Sequence, residues 1–256
     1  MPHEEPHAGH SQGLTLNISG CIEELNIFEL SGQQTLSAPY ELSARFACGI
    51  PDLKLSELTQ QSAIISLSYK NDSRYFHGMI REAVLLGENG QSYLYEITLV
   101  PKLWFLNYRS NCRIFQHQTV VQIVSQLLEE AGLRDDEFQF HLKEHYPVLD
   151  YTVQFNETDF AFMSRLLERH GIHYHFIHQH EQHTQVFGDI NEILPYLDDP
   201  DIEMRPGNGM EADYATLASF KQGYQVGFDH AAHSGFDLTR PARELKHVQR
   251  DRKSVV

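Results

Sequence analysis

From Leu14 to about Val100 the hydrophobic positions recur at short, strand-like spacing. Runs of this kind fall at Leu14–Ile18, Leu25–Leu30, Tyr40–Phe46, Ala63–Tyr69, Arg74–Leu86 and Tyr93–Val100. Turn-forming clusters at Ser31-Gly32, Ala38-Pro39, Gly49 to Asp52, Asn71-Asp72 and Gly87 to Gly90 punctuate them. Six strands at this spacing predict a small antiparallel barrel or sandwich. After Pro101 the period lengthens. Val120, Ile123, Val124, Leu127 and Leu128 share one helical face, with Thr119 and Gln122 placed as a capping box and Gly132 as a left-handed stop. A second helix is predicted with Asn156 as its cap and Glu157 and Asp159 in its first turn. Phe155 and Phe160 are placed there as a hydrophobic staple, and Phe162, Met163, Leu166 and Leu167 form a stripe that ends before Gly171. Ile172 to His178 and Thr184 to Phe187 then read as a hairpin, and strand-like pieces resume from Ala215 to Phe228.

Composition narrows the function classes. The chain has 256 residues, with 35 Asp and Glu against 20 Lys and Arg, a formal charge of -15 that repels phosphate backbones and anionic lipid. No nucleic-acid partner and no stable membrane insertion are expected, since no apolar run approaches the roughly 20 residues of a bilayer-spanning helix. Residues 1–13 read as a disordered, His-rich tail without the basic start and apolar run of a secretory signal. Synthesis in the cytoplasm and any export without a cleavable signal are expected from this. Three cysteines, Cys21, Cys48 and Cys112, have no Cys-x-x-Cys spacing, so reduced and mostly buried thiols are expected.

Candidate chemistry is sparse. Gly9-His10-Ser11-Gln12-Gly13 has the spacing of a nucleophile elbow but lacks the strand-turn-helix context that strains the serine outward. Gly207 to Ala212 fits a loose dinucleotide fingerprint without a surrounding βαβ unit, and reads as a turn. Six histidines, His170, His173, His175, His178, His180 and His183, lie within fourteen residues. On a strand His173 and His175 share one face and His178 and His180 the other, so these four are the weak candidates for transition-metal ligands. The competing expectation is an ordinary hairpin with Tyr174 and Phe176 turned to the core and the rings on its solvated face. No catalytic residue, no cofactor-binding residue and no cofactor are assigned.

Several segments together resemble a known family. YEITLVPKLWFLNYRSNCRIFQ (95–116) and VQFNETDFAFMSRLLERHGIHYHFIH (153–178) are similar to characteristic stretches of the VgrG spike proteins of type VI secretion systems. LSGQQTLSAPYEL (30–42) and RYFHGMI (74–80) agree in order and spacing. The resemblance implies an α+β fold like that of phage baseplate hubs: a first antiparallel β-barrel over 14–105, a helix-containing α+β insertion over 106–190, and the beginning of a second related β-barrel over 191–256, with FDLTRPAREL (236–245) inside it. It further implies a structural, non-enzymatic homotrimer that caps the ring of tail tube protein. Spike-tip or effector proteins would attach through a C-terminal part beyond this chain, the whole being injected through the type VI apparatus. The hub of a phage or phage-derived contractile particle is the alternative, and a His-rich metal-dependent enzyme or a monomeric binding module are the rivals from other classes. Within the resemblance, Gly78 marks a bulge or close backbone approach, Pro101 ends the last barrel strand before Trp104 covers the barrel's open end, and Arg113 pins its segment to an acidic surface.

Overall fold

The computed structural model describes residues 13–21, 25–50, 53–69, 72–180, 182–194, 204, 219–223, 230–236 and 240–250. It divides into two units, 1–195 and 196–256. In the first, β1 (Gly13–Ile18), β2 (Leu25–Gln33), β3 (Glu41–Cys48), β4 (Ser62–Tyr69), β5 (Asp72–Glu88) and β6 (Tyr93–Val100) close into a barrel of order β1-β2-β3-β6-β5-β4. The predicted six strands are all present, and the barrel is the outcome of the two architectures expected.

Closure depends on β5, whose 17 residues serve two neighbours. Its first half pairs with β4 from Asp72 to Met79, and its second half pairs with β6 through register shifts at Ile80/Glu82 and Leu85/Gly87. Such bulges bend a strand and sharpen its twist, which lets one strand turn the corner of a small barrel. Alternate residues point inward: Leu16 and Ile18, Leu42, Ala44 and Phe46, Ala63 and Ile65, and Tyr95, Ile97 and Leu99 are almost completely buried. Gly78 is a close approach, as expected, because a Cβ there would lie 3.0 Å from the Val100 carbonyl and 3.2 Å from the Tyr40 hydroxyl.

Beyond the barrel, a 3₁₀ turn at Lys102–Tyr108 leads into β7 (Ser110–Gln118), α2 (Val120–Glu130), β8 (Phe138–His141), β9 (Leu149–Thr158), α3 (Asp159–His170), β10 (His173–His178) and β11 (His183–Gly188), the short turn at Leu55–Leu58 being α1. Trp104 has the Arg81 guanidinium 5.0 Å from its ring centroid and meets Tyr108 edge-on, while Leu103 and Leu106 of the same turn enter a second core. That core joins the buried faces of α2 and α3 to Phe115, Phe138, Tyr174 and Phe187. The Thr119 capping box forms as predicted, with Oγ1 accepting from Gln122 N and the Gln122 side chain accepting from Thr119 N.

The second helix begins later than predicted. Thr158, not Asn156, is its cap, accepting from Ala161 N, and Glu157 still belongs to β9. Asn156 has φ +48° beside the irregularity in the β7–β9 ladder, a conformation asparagine tolerates. Phe155 is exposed, so no staple forms with Phe160. Gly171 ends the helix at φ +68°, as predicted.

The expected hairpin of β10 and β11 is present with a strand the sequence reading omitted, since β8 pairs in parallel with β11 and makes it central. All six residues of β11 are buried. The second unit, taken by itself, shows β12 (His230–Gly235) antiparallel to β13 (Leu245–Arg250) as a two-stranded sheet. Most of 191–229, including most of 215–228, lies outside the described residues, as do 237–239 of the 236–245 segment, Gly9 to Gln12 and Gly207 to Ala212. Gly13 falls in β1. Of the three thiols, Cys48 is buried, but Cys112 is exposed and Cys21 intermediate, so the expectation of mostly buried cysteines fails at β7.

Candidate functional site

The hairpin of β10 and β11 packs on the barrel and carries the histidines there. Tyr174, Phe176 and His178 alternate onto the face that meets the barrel, because β10 is fully extended and paired from His173 to His178. Tyr174 and Phe176 face inward as expected, and His178 follows them instead of lying on a solvated face. Its ring contacts Tyr40 at 4.9 Å and Phe76 at 5.6 Å. Opposite it at the end of the ladder stands His183, 8% exposed, against Tyr40, Phe176 and His77.

The polar atoms of this cluster are matched across the two parts of the unit. The backbone N–H of His77 donates to His178 Nδ1 at 3.2 Å, which places the proton of neutral His178 on Nε2; Gln34 Nε2 lies 2.9 Å from that nitrogen, so a hydrogen bond there requires the Gln34 amide turned to present its oxygen. His77 Nδ1 and His183 Nδ1 lie 3.1 Å apart and share one proton between them. The Tyr40 hydroxyl donates to the His77 carbonyl and lies 3.4 Å from His183 Nδ1. A backbone clasp completes the junction: Ser37 N donates to the Tyr174 carbonyl at 2.8 Å, and Tyr174 N donates to Ser37 Oγ at 3.3 Å. The outer edge of β10 is thereby capped by the β2–β3 connection at this residue.

Burial governs the electrostatics. It lowers His183 to about 3 and His178 to about 4, with the other rings of the cluster adding to the effect. His77 is lowered by burial and partly restored by Glu137, while burial raises Tyr40 well above the usual phenol range. The rings are therefore neutral at neutral pH.

The four sequence candidates do not converge. His173 and His175 lie on the opposite face of β10 from His178, and His180 sits in the turn with its ring against Tyr75 at 4.9 Å. Across the sheet His173 is in register with Gly188 and, beyond it, His141. The space over Gly188 is taken by Ile193, which a Cβ on Gly188 would overlap. His175 is lowered by burial first and then by His173 and His141, and neither of its ring nitrogens has a hydrogen-bond partner among the described residues. His170 caps its own helix end, Nδ1 lying 2.8 Å from the Leu166 carbonyl. Among the described residues no group of three or more His, Cys, Asp or Glu is arranged to hold a metal ion. Residues that do meet His178 and His183 include Tyr40, in the β2–β3 connection, and His77, in β5, both more than 100 positions away. RYFHGMI contains His77, and no local pattern in it pointed to the hairpin.

A second feature lies on the ribbon of β7 and β9. Its inner face combines the buried Phe115 with polar groups, Arg113 standing opposite Gln154. Arg113 pairs with Asp159 at 2.9 Å and Glu130 at 2.5 Å, and donates to Gln154 Oε1 at 3.1 Å. Arg109 reaches the same two carboxylates at 3.1 and 2.9 Å. Arg113 thus meets carboxylates, one of them fully buried and the other a third exposed, in place of the expected acidic surface. The outer face is apolar: Ile114 pairs with Val153, flanked along β9 by Tyr151 and by Phe155, which is 76% exposed. Contiguous large apolar side chains on a surface mark an interaction site more often than chance exposure does.

Comparison with known proteins places these features in context. The sequence model of the family described as phage tail baseplate hub (GPD) matches residues 33–255. The type VI secretion system spike protein VgrG4b of Pseudomonas aeruginosa is 33% identical over 227 residues, covering 89% of this chain and 28% of that protein. VgrG1b of the same organism is 36% identical over 168 residues, covering 65% and 22%. This chain therefore spans less than a third of those curated relatives. Among solved structures, the E. coli c3393 protein, described as a type VI secretion component similar to phage T4 tail proteins gp27 and gp5, matches with TM-score 0.67 and 22% identity over 88% of this chain and 56% of that one. At that identity the likeness is one of fold.

Proposed function

The chain belongs to the phage tail baseplate hub family, and from that membership we propose that it is the hub portion of a type VI secretion spike, a structural part rather than an enzyme. Three copies form a ring that seats on the tube of the tail, and the ring leaves the cell with the tube. The names of its relatives, spike proteins at 33% and 36% identity, carry this reading in preference to a phage particle. The apolar outer face of the β7–β9 ribbon supports assembly, since obligate homo-oligomers bury surfaces of this character. Buried polar groups support the structural role: Arg113, Gln154 and Asp159 Oδ1 bond to one another, and Arg109 pairs with Asp159 Oδ2.

Light scattering across a dilution series tests the proposal, with a mass of three chains as the expected result. Val153→Arg places a charge at the centre of the outer face without touching either core, and is expected to give a folded monomer with unchanged circular dichroism. A wild type that stays monomeric at high micromolar concentration refutes assembly through these residues. A trimer indifferent to Val153→Arg refutes the β7–β9 face as its contact.

A further inference from the structure

We propose that the seam between the barrel and the β10–β11 hairpin is an acid-released latch, in which protons taken up by His178 and His183 separate the hairpin from the barrel while each part keeps its own core. The inference goes beyond the hub reading and does not depend on it.

The arrangement of donors carries the argument. His178 Nδ1 accepts the backbone N–H of His77, so a proton on that nitrogen sets one donor against another at 3.2 Å. His183 Nδ1 and His77 Nδ1 share a single proton at 3.1 Å, and a second proton makes that pair repulsive as well. The Tyr40 hydroxyl, already donating to the His77 carbonyl, can still accept near His183, and the His77 carbonyl also favours a proton there, but burial and the His77 and His178 rings outweigh it. No carboxylate forms an ion pair with any of these three rings among the described residues.

The groups facing the cluster come from every element around it. The β2–β3 connection contributes Gln34 and Tyr40, and β5 contributes Tyr75, Phe76 and His77. The hairpin contributes Phe176, and the turn holds His180. At longer range Lys102 opposes a cation on His183, and Glu137 favours one on His77. Glu137 is itself held by Lys102 at 3.2 Å, which blunts its acidic influence.

Buried rings held neutral in the closed seam become ordinary imidazoles when it opens. Above about pH 6.5 neither state binds the proton and the seam is unaffected. As pH falls from there toward 4, the open state binds protons that the closed state refuses, so the latch weakens in that window. Each proton shifts the opening equilibrium about tenfold per pH unit, and two together about a hundredfold. The clasp between Ser37 and Tyr174 reports the opening directly, because both of its hydrogen bonds cross the seam.

Hydrogen exchange on the intact chain, corrected for intrinsic rates, tests this at pH 7 and pH 5. The Ser37 and Tyr174 amides are expected to lose at least tenfold protection relative to amides within α2 and α3. In His178→Gln/His183→Gln, which cannot take up the protons, the two sets are expected to keep their ratio within about twofold. An unchanged ratio in the wild type, or an equal loss in the double variant, overturns the proposal. Imidazole titration of the wild type by NMR decides independently of whether the variant folds. Both rings neutral in the closed form at pH 5 support the latch, and midpoints near 6.5 for either ring without seam opening overturn it.

Discussion

Asp159 sits at the first position of α3 with no exposed surface, and the reasoning about the ionic knot predicts what its charge is worth. Oδ1 accepts from Asn111 Nδ2 at 3.0 Å, Arg113 Nη2 at 2.9 Å and Gln154 Nε2 at 2.7 Å, while Oδ2 faces Arg109 Nε at 3.1 Å. Asp159→Asn keeps the volume and lets one oxygen retain the first three contacts. The new amide nitrogen then points a donor at the Arg109 donor. Breaking a buried ion pair from one side costs about 3–5 kcal/mol. Both arginines are partly exposed and keep Glu130, so they can turn to water, and the lower end, about 3 kcal/mol, is expected. A negative charge at a helix N-terminus adds only a few tenths to about 1 kcal/mol to that. Urea unfolding followed by Trp104, the one tryptophan of the chain, reads this region, since its turn packs in the core of α3. Glu130→Gln, at a third exposed, is the comparison and is expected to cost under about 1 kcal/mol. A loss at Asp159→Asn below about 1 kcal/mol, or one equal to Glu130→Gln, refutes the claim that this carboxylate organises the knot.

Other outcomes follow from single contacts. Gly78→Ala forces a methyl against the Val100 carbonyl and Tyr40 hydroxyl and is expected to cost about 1–3 kcal/mol in denaturant unfolding. Thr119→Ala removes one arm of the capping box, with an expected loss of about 1 kcal/mol that shrinks if Gln122 has already been replaced by Ala. Tyr40→Phe leaves the His77 carbonyl without its side-chain donor, so a cost of about 1–3 kcal/mol is expected in the same assay.

The barrel strands were legible because each has one face in the core and one outside, so period two is written directly into Leu42 to Phe46 and Tyr95 to Leu99. The ribbon of β7 and β9 was not. Beside the buried Phe115 its inward face holds Arg113 and Gln154, and its outward face Ile114 and Val153, a local inversion of the rule that apolar means inside. The same inversion explains the misplaced helix start: with Asn156 and Thr158 both able to cap, the β7–β9 ladder, which extends to Thr158, decides between them. β8 is four residues long and owes its strand to parallel pairing with β11, a partner more than 40 positions on. The histidine cluster was half visible. Its density within 170–183 drew attention, but His173 and His175 have the same local look as His178 and His183, and only packing against His77 and Tyr40 separates them.

One property of the barrel bears on how the molecule comes into being. All six strands, including the closing pair in which Gly13 meets Ser68, lie between residues 13 and 100 without interruption by any other element of the fold except α1. A ribosome delivers that stretch before it has made a single residue of the hairpin. If the barrel folds as a unit in the order of synthesis, Ser37 is expected to be in place before Tyr174 exists, and the hairpin to dock onto a completed template. The closure of the barrel itself is then the slow step of long-range pairing that comes first.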